Sequence, residues 1–283
     1  MKSLITKTLV QIALEEDIAS GDITTKALVN SDAKGTASIV AKEKLIIAGL
    51  ELVHIVYKEL SPDIKISNKC IDGDEISSGQ QVCEIIGPLS TLLEGERTTL
   101  NFLQRLSGIA TQTRRYINEL NSNEPLIVDT RKTLPGWRRL EKMAVRIGGA
   151  TNHRMGLYDG VLIKDNHIKI CGGIQLAISK VRKQVSHLTK IEVEVENFEQ
   201  LQQALDAKAD VIMLDNMNND DIKKAVKHIN GKALIEVSGG IKIDRIKELA
   251  DSGVDIISIG ALTHSATAID LSMQIIPEGY SLV

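Results

Sequence analysis

The 283 residues suffice for one large α/β domain or for two smaller ones. Near-average hydrophobic (43%) and charged (25%) contents predict a folded globular chain and exclude wholesale disorder. A net charge of -3 and an aromatic content of 2% give no reason to expect nucleic-acid binding.

The cysteines and the apolar segments bear on the compartment. Cys70, Cys83 and Cys171 are isolated and form no CxxC pair, which argues against a disulfide framework or a zinc site and suits a reducing cytosol. Polar residues interrupt the N-terminal apolar residues, and no stretch approaches about 18 apolar residues. We therefore expect a cytoplasmic protein without a signal peptide or a membrane span.

The first part of the chain predicts a small α+β domain. Residues 3–16 predict a short amphipathic helix, with Ser3 as its candidate N-cap. From about 35 to 90, short β-leaning runs alternate with glycine and proline turns, and residues 49–60 predict a helix between two of them. Residues 90–120 then predict a long helix with one apolar face.

After residue 124, strand-like runs alternate with helical patterns, which predicts a parallel sheet. The strand-like runs are almost continuously apolar, so we expect burial on both faces of the sheet. Closure resembling a barrel fits best, although six strands are clear and not eight. These strand-like runs are 126–128, 161–163, 191–195, 211–214, 233–237 and 256–259.

Polar or glycine residues follow or end each of these runs. The carboxyl ends of parallel strands share one face of a barrel, and active sites form at that face. We therefore expect these groups to converge on one mouth. They are Asp129-Thr130-Arg131-Lys132, Lys164-Asp165-Asn166-His167, the alternating Glu192, Glu194 and Glu196, Asp215-Asn216, Glu236 followed by Ser238-Gly239-Gly240, and Gly260-Ala261.

The charges at these strand ends are segregated along the chain. Residues 131–169 contain nine Lys or Arg against three Asp or Glu, which predicts a pocket for a polyanion because arginine forks match carboxylates and phosphates. Glu194 and Asp215 suit Mg²⁺ or a developing cation. The later glycine turns can hold a phosphate through backbone N–H groups.

Several long motifs, in the same order along the chain, resemble those of the quinolinate phosphoribosyltransferase family. The resemblance runs from residue 17 to the end and implies an incomplete TIM-like α/β barrel with an N-terminal α+β sandwich-like domain. It places the first domain at 1–108, the barrel at 109–270 and a returning tail at 271–283. The motifs are 96–111, 129–136, 148–157, 161–168, 214–216, 238–241 and 259–265.

The resemblance implies transfer of a phosphoribosyl group from phosphoribosyl pyrophosphate to quinolinate with decarboxylation, as in de novo NAD biosynthesis. It also implies a Mg²⁺ cofactor and a homodimer, or a higher oligomer, with a shared active site. Arg97 would reach the site from the neighbouring subunit. Arg131, Arg154 and Lys164 would bind the quinolinate carboxylates.

The other site residues also take their roles from the resemblance. Thr130 and His153 would join the substrate-binding set, His153 near quinolinate. Lys132 would contact the pyrophosphate, and Glu194 and Asp215 would hold the ribose hydroxyls and Mg²⁺, directly or through water. These last three are the predicted catalytic residues. The predicted 5′-phosphate site comprises Ser238, Gly239, Gly240, Gly260 and Ala261.

Departures from the family pattern affect the pocket wall and remove no charged ligand. They fall at Leu134, Trp137, Ile147 and Ala150-Thr151. Other interpretations remain at this point. They are a molybdenum-associated paralogue, another phosphate-binding barrel enzyme with Lys164 as a Schiff-base lysine, and a non-catalytic relative that kept the fold.

Overall fold

The chain folds into two compact units in this computed structural model. The structure describes residues 4–120 and 124–279, so the N-cap predicted at Ser3 lies outside the described residues. The first unit comprises Met1–Gln112, Pro135–Gly148 and Ala266–Val283, and the second comprises Thr113–Leu134 and Gly149–Ser265.

A four-stranded antiparallel sheet lies at the centre of the first unit. Burial alternates along its strand β1, where Ala37, Ile39 and Ala41 face the core, as expected for a half-buried strand. In spatial order the sheet consists of β12 (Leu271–Pro277), β1 (Lys34–Ala41), β5 (Gln81–Pro88) and β3 (Lys65–Asn68), and a separate pair joins β2 (Leu45–Ile46) to β4 (Glu75–Ile76).

The helices of the first unit include two that the sequence patterns did not predict, α2 and α5. Asp22 accepts hydrogen bonds from the backbone amides of Thr24 and Thr25 and thereby caps the start of α2. None of the described helices has the length and apolar composition needed to cross a bilayer. The helices are α1 (Leu4–Ile18), α2 (Ile23–Leu28), α3 (Leu50–Leu60), α4 (Leu89–Asn118, ending in the second unit) and α5 (Arg138–Ile147).

Helix α5 was missed because its sequence is dominated by charge. Its Glu141 is fully buried and accepts hydrogen bonds from Arg105 Nη2 at 2.7 Å and Nε at 3.1 Å. Ala144 and Val145 are buried on the same helix. A short charged segment can therefore belong to the interior when its acid is paired with an arginine.

The second unit contains the predicted parallel sheet, and all six predicted strands are present. Helices or helical turns separate its later strands, as the alternating pattern predicted. In spatial order the strands are β6 (Leu126–Val128), β11 (Ile256–Ser258), β10 (Leu234–Ser238), β9 (Val211–Asp215), β8 (Ile191–Val195) and β7 (Val161–Ile163).

The six-stranded sheet is an open barrel. β6 and β7 are its outer strands, and in the described residues no ladder joins them, which confirms the incomplete barrel. Val128 of β6 instead forms an isolated parallel bridge to Thr151. All strand pairs in this sheet are parallel, so the carboxyl ends of the strands lie along one edge.

The helices of the second unit are delimited by local signals. Asn197 and Asn218 accept hydrogen bonds from backbone amides in the first turns of α8 and α9. Gly172, with a φ of 87°, ends α6, a helix that was not predicted. The helices are α6 (Asp165–Cys171), α7 (Ile174–Gln184), α8 (Phe198–Asp206), α9 (Asn219–Ile229), α10 (Ile246–Ala250, preceded by a 3-10 turn at Ile243–Arg245) and α11 (Ala261–His264).

Candidate active site

A cavity of about 580 Å³ lies within the second unit. Residues at or just beyond the ends of all six parallel strands contribute to its wall, as the sequence predicted for the barrel mouth. Every predicted site residue except Arg97 lines it. Those residues are Thr130, Arg131, Lys132, His153, Arg154, Lys164, Glu194, Asp215, Ser238, Gly239, Gly240, Gly260 and Ala261.

Arg97 is the exception. It lies on α4 in the first unit and is exposed. It is not among the residues that line the cavity. Its predicted contribution to the site from a second subunit stays a prediction.

Lys164 is fixed at the end of β7 by the start of α6. It is the N-cap residue of that helix, and its backbone N–H donates to His167 Nδ1 at 3.0 Å. Its ammonium group donates to the carboxylate of Glu194, which lies on the neighbouring strand β8. The ion pair places a predicted quinolinate ligand directly beside a predicted ribose ligand.

Two threonine hydroxyls hold the backbone of Lys132 just beyond the end of β6. Its N–H donates to Thr130 Oγ1 at 3.1 Å, and its carbonyl accepts from Thr263 Oγ1 at 2.8 Å. A Cβ built on Gly260 would lie 2.9 Å from Lys132 Cδ. The side chain of Lys132 therefore passes across Gly260, next to the predicted phosphate turn.

The segment that carries His153 and Arg154 is anchored by Asp129. This carboxylate is fully buried and accepts from His153 N at 2.9 Å and from Asn152 Nδ2 at 2.6 Å. Asp129 does not line the cavity. Its role in the fold is to hold the segment 152–153 beside β6.

The guanidinium of Arg154 lies in a cationic part of the cavity. Burial, followed by the charge of Arg131, holds the pKa of Arg154 below its ordinary value, while Glu192 and Asp159 oppose that shift. Its Nη1 donates to the carbonyl of Gly160 at 2.9 Å. Two arginines that repel each other across a cavity favour an anionic ligand between them.

The turn after β10 requires glycine. Gly239 has a φ of 92°, and a Cβ there would lie 2.2 Å from Asn216 Oδ1 and 2.9 Å from its backbone nitrogen. Gly240 follows with a φ of 59°. Successive backbone N–H groups in such a turn form a concave site suited to a phosphate.

Asn216 is a cavity residue that the sequence reasoning left without a role. It adopts a φ of 55°, and its backbone N–H donates to the carbonyl of Ser238 at 3.0 Å. Its side-chain amide donates to Asp215 Oδ2 at 2.7 Å. Asn216 therefore links the predicted metal and ribose ligand to the predicted phosphate turn.

Two buried glutamates on the barrel strands have no role in the predicted site. Glu192 and Glu236 lie with His153 in a cluster whose potential ligand atoms are within 4.8 Å of one another. Burial, followed by the charge of Glu192, raises the pKa of Glu236 to about 8, and His153 opposes this shift. Glu192 lies two residues before Glu194 and shares its face of the strand, but this alternation alone does not distinguish the roles of the two glutamates.

The remaining unpredicted lining residues are mostly neutral, and they complete the wall around the charged groups. Three of them are apolar, and one further cation, Lys242, follows the glycine turn. These residues are Leu162, Met213, Ile241, Lys242, Ser258 and His264. The cavity thus combines a few convergent charged groups with apolar wall, as small-molecule sites commonly do.

The donor groups near β8 and β9 fit the predicted magnesium. Glu194 and Asp215 line the cavity and offer carboxylate oxygens, the ligand type that Mg²⁺ prefers. Magnesium commonly binds proteins through one or two carboxylates together with substrate phosphates. The residues present are therefore compatible with that ion.

An open α/β barrel with arginines, carboxylates and a glycine turn at its carboxyl edge defines an enzyme for a phosphorylated, polyanionic substrate. Sequence models of two domains match the chain. They are "Quinolinate phosphoribosyl transferase, N-terminal domain" over residues 22–107 and the corresponding "C-terminal domain" over residues 109–274. The chain belongs to the quinolinate phosphoribosyltransferase family, which confirms the resemblance inferred from the motifs.

Individual relatives agree along nearly the full length. The chain is 43% identical over 275 residues to the probable nicotinate-nucleotide pyrophosphorylase (carboxylating) of Bacillus subtilis, covering 97% of this chain and 95% of the relative. It is 38% identical to the crystal structure of NadC from Streptococcus pyogenes, with a TM-score of 0.94 and 98% of both chains covered. The nicotinate-nucleotide pyrophosphorylase structure from Francisella tularensis gives 42% identity, a TM-score of 0.92 and 96% coverage of both chains.

Proposed function

We propose that this protein transfers the phosphoribosyl group of phosphoribosyl pyrophosphate to the ring nitrogen of quinolinate and releases CO₂. The products are nicotinate mononucleotide and pyrophosphate, as in de novo NAD biosynthesis. The observation that carries the proposal is the convergence, in one cavity, of cations for a dicarboxylate, two carboxylates and a phosphate-type turn. Family membership assigns this arrangement to a specific reaction.

Quinolinate binds, in this proposal, through its two carboxylates. Arg131, Arg154 and Lys164 line one part of the cavity and supply three positive charges. Guanidinium groups donate paired hydrogen bonds to carboxylates in bidentate geometry, so they fix the orientation of the ring as well as neutralising its carboxylates. The protein then only has to direct the ring nitrogen at the sugar, because that nitrogen is itself the nucleophile.

The sugar reacts at C1, where the bond to pyrophosphate breaks and positive charge develops. Glu194 and Asp215 stabilise this oxocarbenium-like charge because both are carboxylates in the cavity wall. Lys132 stabilises the charge on the departing pyrophosphate. After the nitrogen–carbon bond forms, the 2-carboxylate leaves as CO₂, its bonding electron pair remains on the ring carbon beside the cationic nitrogen, and that carbon takes a proton from solvent.

Magnesium is part of the proposal. Glu194 and Asp215 would hold it, and when bound it would supply charge neutralisation for the pyrophosphate group. The turn at Ser238-Gly239-Gly240 and the residues Gly260 and Ala261 would bind the 5′-phosphate through backbone N–H groups. Each end of the substrate would thus meet a different chemical type of ligand.

We also propose a homodimer with a shared active site and a cytoplasmic location. An exposed Arg97 on α4 is available to a second subunit. The three cysteines are free thiols, and burial raises the pKa of Cys83 to about 12 and that of Cys70 to about 11. Such unreactive free thiols suit a reducing compartment.

The assay that tests the reaction supplies quinolinate, phosphoribosyl pyrophosphate and Mg²⁺, and follows nicotinate mononucleotide and CO₂. We expect both products in equal amounts, and no product when Mg²⁺ is chelated. Turnover with nicotinate or another base, but none with quinolinate, would refute the substrate assignment. That pattern would favour a paralogue with a different base.

A Schiff-base reaction at Lys164 receives less support. The ammonium group of Lys164 is ion-paired with Glu194, whereas Schiff-base formation needs a neutral amine. Borohydride trapping with a keto acid separates the two proposals. We expect no trapped adduct at Lys164.

A further inference from the structure

His153, Glu192 and Glu236 form a largely buried cluster at the cavity wall. His153 Nε2 lies 3.2 Å from Glu192 Oε2 and 3.6 Å from Glu236 Oε1. The two glutamates are only 7% and 2% exposed, whereas His153 and Glu236 line the cavity. None of the predicted roles uses either glutamate.

Both ring nitrogens of His153 are engaged by the protein. Nδ1 accepts a hydrogen bond from the backbone N–H of Arg154 at 2.7 Å, so in the neutral ring the proton lies on Nε2. That Nε2–H faces Glu192 Oε2. In this tautomer His153 presents an Nε2–H group, and not a lone pair, towards the two glutamates.

Several hydrogen bonds hold the segment 152–154 and thereby position Arg154. Asp129 accepts from the backbone of His153, the His153 ring lies between the carboxyl groups and the Arg154 amide, and Arg154 Nη1 donates to Gly160. The ring of His153 thus connects the buried glutamates to the backbone of an arginine in the cavity.

The glutamates are otherwise poorly satisfied. Among the described residues, Glu192 Oε1 and Glu236 Oε1 are buried side-chain oxygens without a hydrogen-bond partner. Burying such atoms costs free energy, so their presence asks for an explanation in terms of function. The observed contacts offer one explanation: the carboxylate beside His153 Nε2 keeps the proton of the ring on that nitrogen.

We propose that Glu192 and Glu236 are positioning residues that fix His153 as its Nε2–H tautomer and, through its Nδ1, fix Arg154 for quinolinate. The proposal rests on the proposed function, since it assumes that Arg154 binds a quinolinate carboxylate. Glu192 does not line the cavity, so it acts on quinolinate through His153 and Arg154. Their removal therefore affects quinolinate binding and leaves phosphoribosyl pyrophosphate binding unchanged.

The binding test compares two substitutions at one position. Glu192→Ala is expected to weaken quinolinate binding, measured by calorimetry, on the order of tenfold, as expected when a positioning contact is lost. Glu192→Gln is expected to restore most of the affinity, because its amide oxygen still accepts from Nε2–H. The KM for phosphoribosyl pyrophosphate should stay constant in both variants.

Glu196→Gln is the matched control, since Glu196 lies just beyond the same strand and is exposed. It should bind quinolinate like the unmodified protein. A folded Glu192→Ala variant with unchanged quinolinate affinity would overturn the proposal. If the unmodified protein itself does not bind quinolinate, the proposed function is refuted instead.

The tautomer is tested directly by ¹⁵N NMR of histidine-labelled protein, with the His153 signals identified by their absence in His153→Gln. We expect the Nε2–H form in the unmodified protein and a tautomer mixture in Glu192→Ala. The spectrum of the unmodified protein depends neither on catalysis nor on the folding of a glutamate variant. An Nδ1–H form of His153 would overturn the proposal. So would a His153 signal that shifts on titration with Zn²⁺, because such a shift would show that the ring binds the metal ion.

Discussion

Lys164 on β7 donates a hydrogen bond to Glu194 on β8, and this pair joins two groups with different predicted partners. The side chain of Lys164 is 45% exposed, whereas that of Glu194 is 12% exposed. Lys164 can therefore meet an incoming carboxylate while it still neutralises Glu194. Substitution at either position should alter the site of the other.

Lys164→Ala tests this relationship. It removes one cation from the quinolinate site and leaves Glu194 largely buried without its partner, so we expect kcat/KM for quinolinate to fall roughly 10- to 100-fold. Most of the loss should appear in the KM for quinolinate. Steady-state kinetics with each substrate varied in turn measures it.

Lys169→Ala is the control for this experiment. Lys169 lies on α6, is exposed, and pairs with Asp165 four residues away. Exposed pairs of this kind contribute little, so kcat/KM should change less than twofold. An unchanged quinolinate KM in Lys164→Ala would contradict the assigned role of Lys164.

Gly239→Ala tests the phosphate turn. The new Cβ would collide with Asn216 and would occupy a φ of 92°, at a cost of roughly 1–3 kcal/mol. We expect a lower Tm and, because the turn must shift, a KM for phosphoribosyl pyrophosphate raised about tenfold or more. Thermal unfolding and steady-state kinetics measure the two effects separately.

Gly231→Ala separates backbone strain from loss of the site. Gly231 also has a positive φ, 72°, but a Cβ there has no neighbour within 4 Å. This variant should lower the Tm and leave both KM values unchanged. Equal effects of the two substitutions on the KM for phosphoribosyl pyrophosphate would argue against a phosphate site at Gly239.

The strands of the barrel could be predicted because each is a short apolar run that ends at a polar group. The same regularity brought the predicted ligands of β6 to β11 together, since parallel strands end along one edge. Helices α2, α5 and α6 were missed for the opposite reason. They are short or highly charged, and features that periodicity does not show, namely a cap, a buried ion pair and a glycine end, contribute to them.

The buried glutamates show where prediction of the site ended. Glu192 and Glu194 have the same type of side chain on the same strand face, but only Glu194 lines the cavity. Depth within the barrel separates them, and depth depends on contacts with His153 and Glu236 that lie far away in sequence. A pattern of alternation cannot supply that information.

Mixed subunits test the proposed shared site. At quinolinate concentrations well below the KM of the variants, Arg97→Ala and Lys164→Ala should each lose most of their activity alone, because each site would lack one quinolinate ligand. A mixed dimer would contain one site without either substitution, so we expect partial recovery of activity on mixing. Verified mixed dimers, isolated with two different affinity tags, that remain inactive would count against a contribution of Arg97 from a second subunit.

Glu236 should make stability depend on pH. Its pKa is raised from an ordinary value of 4.5 to about 8 by burial and by Glu192, so the folded protein retains a proton that the unfolded chain releases. Between these two values the unfolded state binds fewer protons, and the free energy of unfolding therefore falls as pH rises. Above the folded-state pKa this loss is complete and the dependence levels off.

Glu236→Gln should remove this dependence, because an amide stays neutral at every pH in the range. We expect the Tm of the unmodified protein to fall relative to that of Glu236→Gln as pH rises from about 5.5 to about 8.5. Glu196→Gln should instead follow the unmodified protein, since Glu196 is exposed. If the Tm difference between Glu236→Gln and the unmodified protein stays constant over this range, Glu236 is already ionised near pH 5.5. The buried position of Glu236 beside Glu192 argues against that outcome.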